Sequence, residues 1–396
     1  MSTSYRNIFL LASCQALLLT NAAGLISMNG LVGYSLTDIK ALATLGATTY
    51  VLGSAVSTMP MSLWMAKVGR RRGFMAGALI NIGGCMLAAA ALFLGSFVLY
   101  CVATAVIGIY NAVGLQYRFA AAEVAAPADK ARAISLVLAG GIVGGFLGPA
   151  MSRWGKDMFA TPFLGSFVLL AAVALVALAV QSLVHVPRPT AAENAGGGRP
   201  LRVIMRRPVF MVAALSAGLG YGLMNLLMVA TPLAMSFCSY PFAQAAFVIE
   251  WHVVGMYAPG FVTGNLIRRF GILNVILAGA VVMAGGAAVA LNGNTVAHFV
   301  VALTLVGAGW NFMYTGGTTL LTEAYAPEEK ARTQGANDFI MFSIMGVSSL
   351  SSGALVSAVG WEAMTWGALP FLVLIAVVVA SFARRRRRAA VRSSPA

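Results

Sequence analysis

The segment Glu123-Val124-Ala125-Ala126-Pro127-Ala128-Asp129-Lys130-Ala131-Arg132 returns as Glu323-Ala324-Tyr325-Ala326-Pro327-Glu328-Glu329-Lys330-Ala331-Arg332, with Glu, Pro, Lys, Ala and Arg at unchanged offsets. Upstream, Asn111 matches Asn311, and the basic turn Lys67-Val68-Gly69-Arg70 has a counterpart in Arg269-Phe270-Gly271. Matches separated by about half of a 396-residue chain describe a duplicated unit. Glycine adopts backbone angles closed to other residues, so both basic turns read as tight links between consecutive elements.

Composition says what those elements are. Apolar residues make up 60% of the chain and charged residues 9%, and the mean hydropathy is +0.86. A soluble globule of this make-up would expose large apolar patches. Apolar segments of roughly 20 residues cross a hydrocarbon core about 30 Å thick. Such segments are predicted at 8–33, 41–66, 74–94, 97–119, 133–152, 162–185, 208–236, 242–267, 273–291, 296–319, 334–357 and 362–383. The expected fold is an all-α membrane protein of twelve transmembrane helices in two six-helix bundles. Residues 1–187 form the first bundle and 208–383 the second. Between them, 188–207 is a cytoplasmic linker rich in Pro and Gly, and 384–396 is a basic cytoplasmic tail.

Charge orients the spans. With a cytoplasmic N-terminus, every Lys and Arg except Lys40, Arg153 and Lys156 falls on the cytoplasmic side, as the positive-inside rule requires. Both termini are then cytoplasmic. The net charge of +15 is spent on topology and on anionic lipid headgroups, so no nucleic-acid partner is expected. Cys14, Cys85, Cys101 and Cys238 form no CxxC pair and imply neither a disulfide framework nor a zinc site.

Met224 and Met228 stand four apart on the seventh span, and His252 and Met256 four apart on the eighth. Residues at that spacing share a helix face. Thioethers favour cuprous copper, and imidazole suits copper in either common oxidation state, so these four are the candidate metal ligands. His252 is the only histidine well inside a span, and an imidazole there needs a partner or a polar cavity. Counted from the cytoplasmic ends, Met224 and His252 each lie about 23 Å deep at about 1.5 Å per residue. The four donors are thus expected as a ladder, with Met228 nearer one surface and Met256 nearer the other. Met235 and Cys238 extend the sulfur stripe. Methionine pairs also serve as adaptable packing, and Met61 with Met65 and Met341 with Met345 repeat the spacing.

Glu250 inside the eighth span is a candidate proton carrier, or else a buried acid bonded to a neighbouring helix. Asp338 and Arg118 are charged positions near cytoplasmic helix ends. Glu123 and Glu323 are expected to pair with Arg or Lys in the repeated loops and brace one conformation. No phosphate-cradling loop, zinc-spaced His-Cys cluster or nucleophile-base pair is present in the sequence, so the protein is read as a secondary transporter, not an enzyme, and no cofactor is expected. A rival reading is a proton-coupled carrier of an organic solute, riboflavin included, with Trp251, Tyr257, Trp310 and Tyr314 stacking on its ring. Another is a copper-binding membrane sensor that moves nothing.

Over essentially its full length the chain resembles the major facilitator superfamily. Six plus six spans, a central linker and glycine turns after spans two and eight carry the likeness. Gly264, Leu266, Arg269 and Gly271 fit that family's turn signature, whereas in the first half Ser62 and Ala66 replace its leading glycine and its acid. Within it, the pairs Met224-Met228 and His252-Met256 resemble those of the CcoA-like copper transporters. That resemblance implies copper import across the bacterial inner membrane for cytochrome oxidase biogenesis, with Met224, Met228, His252 and Met256 binding the ion. The expected partners are the copper ion as substrate, the lipid bilayer and a cytoplasmic copper chaperone.

Overall fold

A computed structural model of the protein describes residues 3–39, 42, 45–187 and 198–393. Lys40 and positions 188–197 of the expected linker lie outside the described residues. Twelve helical crossings follow the sequence order, and nine helices among the described residues have the length and apolarity to cross a membrane. The others depart from a plain apolar rod for visible reasons. The second span, Leu45–Val68, carries Pro60 and buries the hydroxyls of Ser54, Thr58 and Ser62. The eighth is broken at Ala258 and Pro259 into Phe242–Tyr257 and Gly260–Phe270. The eleventh runs on from Lys330 into the twelfth, which is one of the nine, the two helices meeting at Gly360 with φ 83°.

The duplicated segment folds the same way twice. Pro127–Asp129 and Pro327–Glu329 are single 3-10 turns, each opening a helix at Lys130 or Lys330. Proline suits that first position because its fixed φ is already helical and its missing N–H would have no partner there. Gly69 and Gly271 hold φ of 90° and 85° at equivalent turns. No atom lies within 4 Å of an added Cβ at either, so glycine is required there by backbone angle and not by space. Ser96 and Thr295 cap the fourth and tenth spans, Phe97–Gly114 and Val296–Leu321, by accepting from the N–H groups of Leu99 and His298.

Small residues set the helix crossings. In lipid, helices associate through close backbone packing, since tails are as apolar as leucine. A Cβ on Gly53 would lie 2.1 Å from the Ala105 carbonyl, and one on Gly255 2.3 Å from that of Thr304. The second-to-fourth and eighth-to-tenth contacts are therefore copies of one crossing. Gly144 meets the Ala16 carbonyl at 2.4 Å in the same sense, seating the fifth span on the first, Thr3–Leu36.

By packing, the chain groups into two compact units. One holds Met1–Gly198 with Ala326–Phe342, and the other Arg199–Tyr325 with Ser343–Ala396. The first unit has apolar clusters around Tyr100 with Phe167 and around Phe74 with Tyr117. The second is organised about the tenth span, against which the seventh and eighth both lie.

Candidate functional site

The second unit positions the candidate residues on helices seven, eight and ten. Helix seven, Pro208–Phe237, meets helix ten where Gly317 approaches Ala213 and Ala217, and where Gly220 approaches Met313. The next residue, Tyr221, packs edge-on to Trp310 at 5.2 Å and to Tyr314 at 5.6 Å. Trp310 and Tyr314 stack at 4.9 Å with their planes 15° apart. Tyr257, from helix eight, closes the group edge-on to Trp310 at 5.8 Å. The result is an aromatic cluster drawn from three helices, with one pair of faces and two edges. Trp310 Nε1 is buried with no hydrogen-bond partner among the described residues.

Three of the four aromatics expected to act together do so. Trp251 does not: it is 44% exposed and lies against Phe247 at 6.3 Å. Tyr221 takes the place in the cluster. The sequence signal for it was available, because Tyr221 stands three residues before Met224 and so shares its helix stripe.

Helix seven, which carries Met224 and Met228, and helix eight, which carries His252 and Met256, both pack against helix ten. His252, fully buried, donates through Nδ1 to the Leu303 carbonyl at 2.6 Å. A carbonyl can only accept, so Nδ1 carries the proton and Nε2 is left as a bare acceptor. Nε2 is buried with no hydrogen-bond partner among the described residues. Met256 follows one turn on, its carbonyl accepting from Asn311 Nδ2 at 2.7 Å while Asn311 Oδ1 accepts from Thr263. Met224 and Met256 are buried and Met228 half-buried. Among the described residues no three His, Cys, Asp or Glu side chains gather as a metal cluster, so His252 and thioethers are what this region offers a metal. Of the stripe's extension, Met235 is fully buried and Cys238 exposed.

The charged candidates fall into place differently. Glu250 is exposed, which removes the alternative of a buried acid bonded to a neighbouring helix. Glu323 pairs with Arg386. In the first unit Glu123 pairs with Arg70 at 2.8 Å and with Lys330 at 3.4 Å, the partners its loop was expected to supply. Arg118 and Asp338 form an ion pair, 1% and 0% exposed. Gln116 connects the two sets, accepting from Arg70 and donating to Asp338. Asn21 Oδ1 accepts from Asn81 Nδ2 at 2.9 Å, a bond between the first and third spans.

Comparison with known proteins agrees with this arrangement. A family model described as Major Facilitator Superfamily matches residues 8–250 and 239–396. The riboflavin transporter RfnT of Brucella anthropi is 39% identical over 375 residues, covering 94% of each chain. Among solved structures, the proton:xylose symporter XylE superposes with a TM-score of 0.81 at 14% identity, covering 96% of both chains. The transporter FucP in its outward conformation does so with a TM-score of 0.76 at 15% identity, covering 97% of this chain and 99% of its own. None of these three is described as carrying copper, and the expectation of a copper-transporting branch gains nothing from them. A match across nearly the whole sequence, on a repeat of six helices folded twice, makes this chain a member of the major facilitator superfamily.

Proposed function

We propose that this protein is a secondary carrier of the bacterial inner membrane, with both termini cytoplasmic, whose cargo is an organic solute bearing a flat aromatic ring, riboflavin being the first compound to try. The observation that carries this reading is the cluster of Tyr221, Tyr257, Trp310 and Tyr314. Aromatic side chains bind ring systems by offset stacking and edge contact, and ligand sites combine such apolar walls with a few directed polar groups. Trp310 Nε1 and His252 Nε2, buried without partners, are such groups: one donates, the other accepts. A flavin ring carries both carbonyl acceptors and an imide N–H. The similarity to a riboflavin transporter over 94% of the chain supports the same cargo class. Transport follows from exposing the bound cargo to each side of the membrane in turn. Proton coupling belongs to the proposal, with Glu250, an exposed acid within a span, as its carrier.

The test is uptake of labelled riboflavin by vesicles holding only this protein. Wild type accumulates it saturably, and Trp310→Ala loses at least about tenfold of kcat/KM, the scale of one lost aromatic contact of about 1.4 kcal/mol, at unchanged abundance. Absence of uptake by wild type rejects the cargo.

One observation favours copper as a second reading. His252 presents its bare Nε2 while Nδ1–H is held by a backbone carbonyl, the way metal-bound histidines are usually oriented, with Met256 on the same helix and Met224 and Met228 on helix seven. Under that reading Cu(I) enters the same vesicles, and both Met224→Leu and His252→Ala abolish its uptake while sparing that of riboflavin.

A further inference from the structure

Helix ten carries two threonines whose hydroxyls depart from the rule of the other helices. A threonine inside a helix commonly turns its hydroxyl back to the carbonyl three or four residues earlier, and among the described residues every other buried threonine does so. Thr315 and Thr318 do not. They are 0% and 1% exposed, and their hydroxyl oxygens are buried with no hydrogen-bond partner among the described residues. Such a group is costly in a folded protein, and one held off its own helix is available to a ligand.

Neighbouring residues fix where the two stand. Gly316 packs on Ile276 of the ninth span, Ile272–Leu291, and Gly317 on Ala213 and Ala217 of helix seven. At 3.6 residues per turn, Thr315 and Thr318 lie on the opposite side of helix ten, about 180° from that glycine pair. Thr318 stands four residues after Tyr314 and eight after Trp310, so it continues the stripe of the stacked rings, about 6 and 12 Å further along. Thr315 is its neighbour on the helix surface and stands one turn beyond Asn311, which bonds both the Met256 carbonyl and Thr263 across the break in helix eight. The two hydroxyls thus adjoin the aromatic cluster on the side of the broken helix.

We propose that Thr315 and Thr318 form a subsite for a polyhydroxylated arm attached to the cargo's flat ring, and that they select compounds bearing such an arm over the bare ring. The inference rests on the reading of the aromatic cluster as the place of that ring. A hydroxyl both donates and accepts, which matches the alcohol groups of a sugar-like chain. Neither residue carries charge, so the arm that suits them is neutral. Like the rings, these hydroxyls are shut from solvent in this structure, and they meet the cargo when the transport cycle opens the site to one side of the membrane.

Flavin fluorescence titrated with the purified full chain in detergent tests it, using riboflavin, which bears such an arm, and lumiflavin, the same ring with a methyl group in place of the arm. Wild type is expected to bind riboflavin at least about tenfold more tightly than lumiflavin, the scale of two modest hydrogen bonds. Thr315→Val combined with Thr318→Val should weaken riboflavin about tenfold and leave lumiflavin unchanged, with an unfolding midpoint no lower than that of wild type, because the folded protein loses no hydrogen bond. Thr318→Val alone, expected to weaken riboflavin about threefold, keeps the test decisive should the double variant fail to fold. Equal affinity of wild type for the two compounds, equal weakening of both in the variants, or no weakening of either overturns the subsite and leaves the cargo class standing. Wild type that binds neither compound overturns both.

Discussion

Trp310 concentrates the residue-scale argument, since it is the ring touched by all three of Tyr221, Tyr257 and Tyr314. Its indole N–H is buried with no hydrogen-bond partner among the described residues, so removing the donor itself takes no hydrogen bond from the folded state. Trp310 is nevertheless buried against three rings, so Trp310→Phe is expected to lower the unfolding midpoint modestly, through the contacts that the smaller ring gives up. If Nε1 donates to the cargo, the same change weakens half-saturation for riboflavin about three- to tenfold, the worth of one hydrogen bond of about 1 kcal/mol. Equal half-saturation in the two proteins assigns the N–H no part in recognition. At this scale the sequence was legible only in part. Residue types and helix spacing revealed Tyr257, Trp310 and Tyr314, but Tyr221 and Trp251 exchanged roles. Periodicity along one helix says which residues share a face and not which neighbour that face meets.

Between helices, the crossings are what the glycines specify. Gly255 sits in the same turn as His252 and Met256, and an added Cβ there would meet the Thr304 carbonyl at 2.3 Å. That neighbour is backbone and cannot swing aside, so Gly255→Ala must push helix eight away from helix ten, at a cost of about 1–3 kcal/mol by the scale of overpacked cores. It should also lengthen the His252 to Leu303 bond and reduce transport of any cargo held by that region. Gly285, on the ninth span Ile272–Leu291, supplies the control, because no atom lies within 4 Å of its added Cβ. Gly285→Ala gains helix propensity of about 0.5–1 kcal/mol and should raise the midpoint. Thermal unfolding of both variants in one detergent decides it; equal shifts would mean that close approach is not what glycine provides at 255. The glycine turns at 69 and 271 and the proline-led starts at Lys130 and Lys330 were readable in the repeat, since they obey local backbone rules. The break at Ala258 and Pro259 was not anticipated, although Pro259 marks it: apolarity continues through the break, and a hydropathy reading follows composition alone.

For the whole molecule, the instructive feature is that residues 326–342, a loop and helix start from the second repeat, pack with the first unit. Sequence duplication predicts two like halves, and it cannot show one half lending a segment to the other's packing, because that depends on partners distant in the chain. The tie is ionic at its centre. Asp338 and Arg118 are almost wholly buried, with Gln116 and Asn337 donating to the carboxylate. Removing one member of such a pair leaves the other charge buried and uncompensated, at about 3–5 kcal/mol, whereas removing both is far less harmful. Asp338→Asn should accordingly lower the midpoint steeply, and Arg118→Gln added to it should recover most of the loss, a coupling that a double-mutant cycle isolates. Hydrogen exchange locates the effect: in Asp338→Asn the amides of 326–342 lose protection before those of the ninth and tenth spans, which belong to the other unit. Uniform loss of protection across both units would instead mean that the pair supports the fold at large, and that the borrowed segment is held by its apolar contacts.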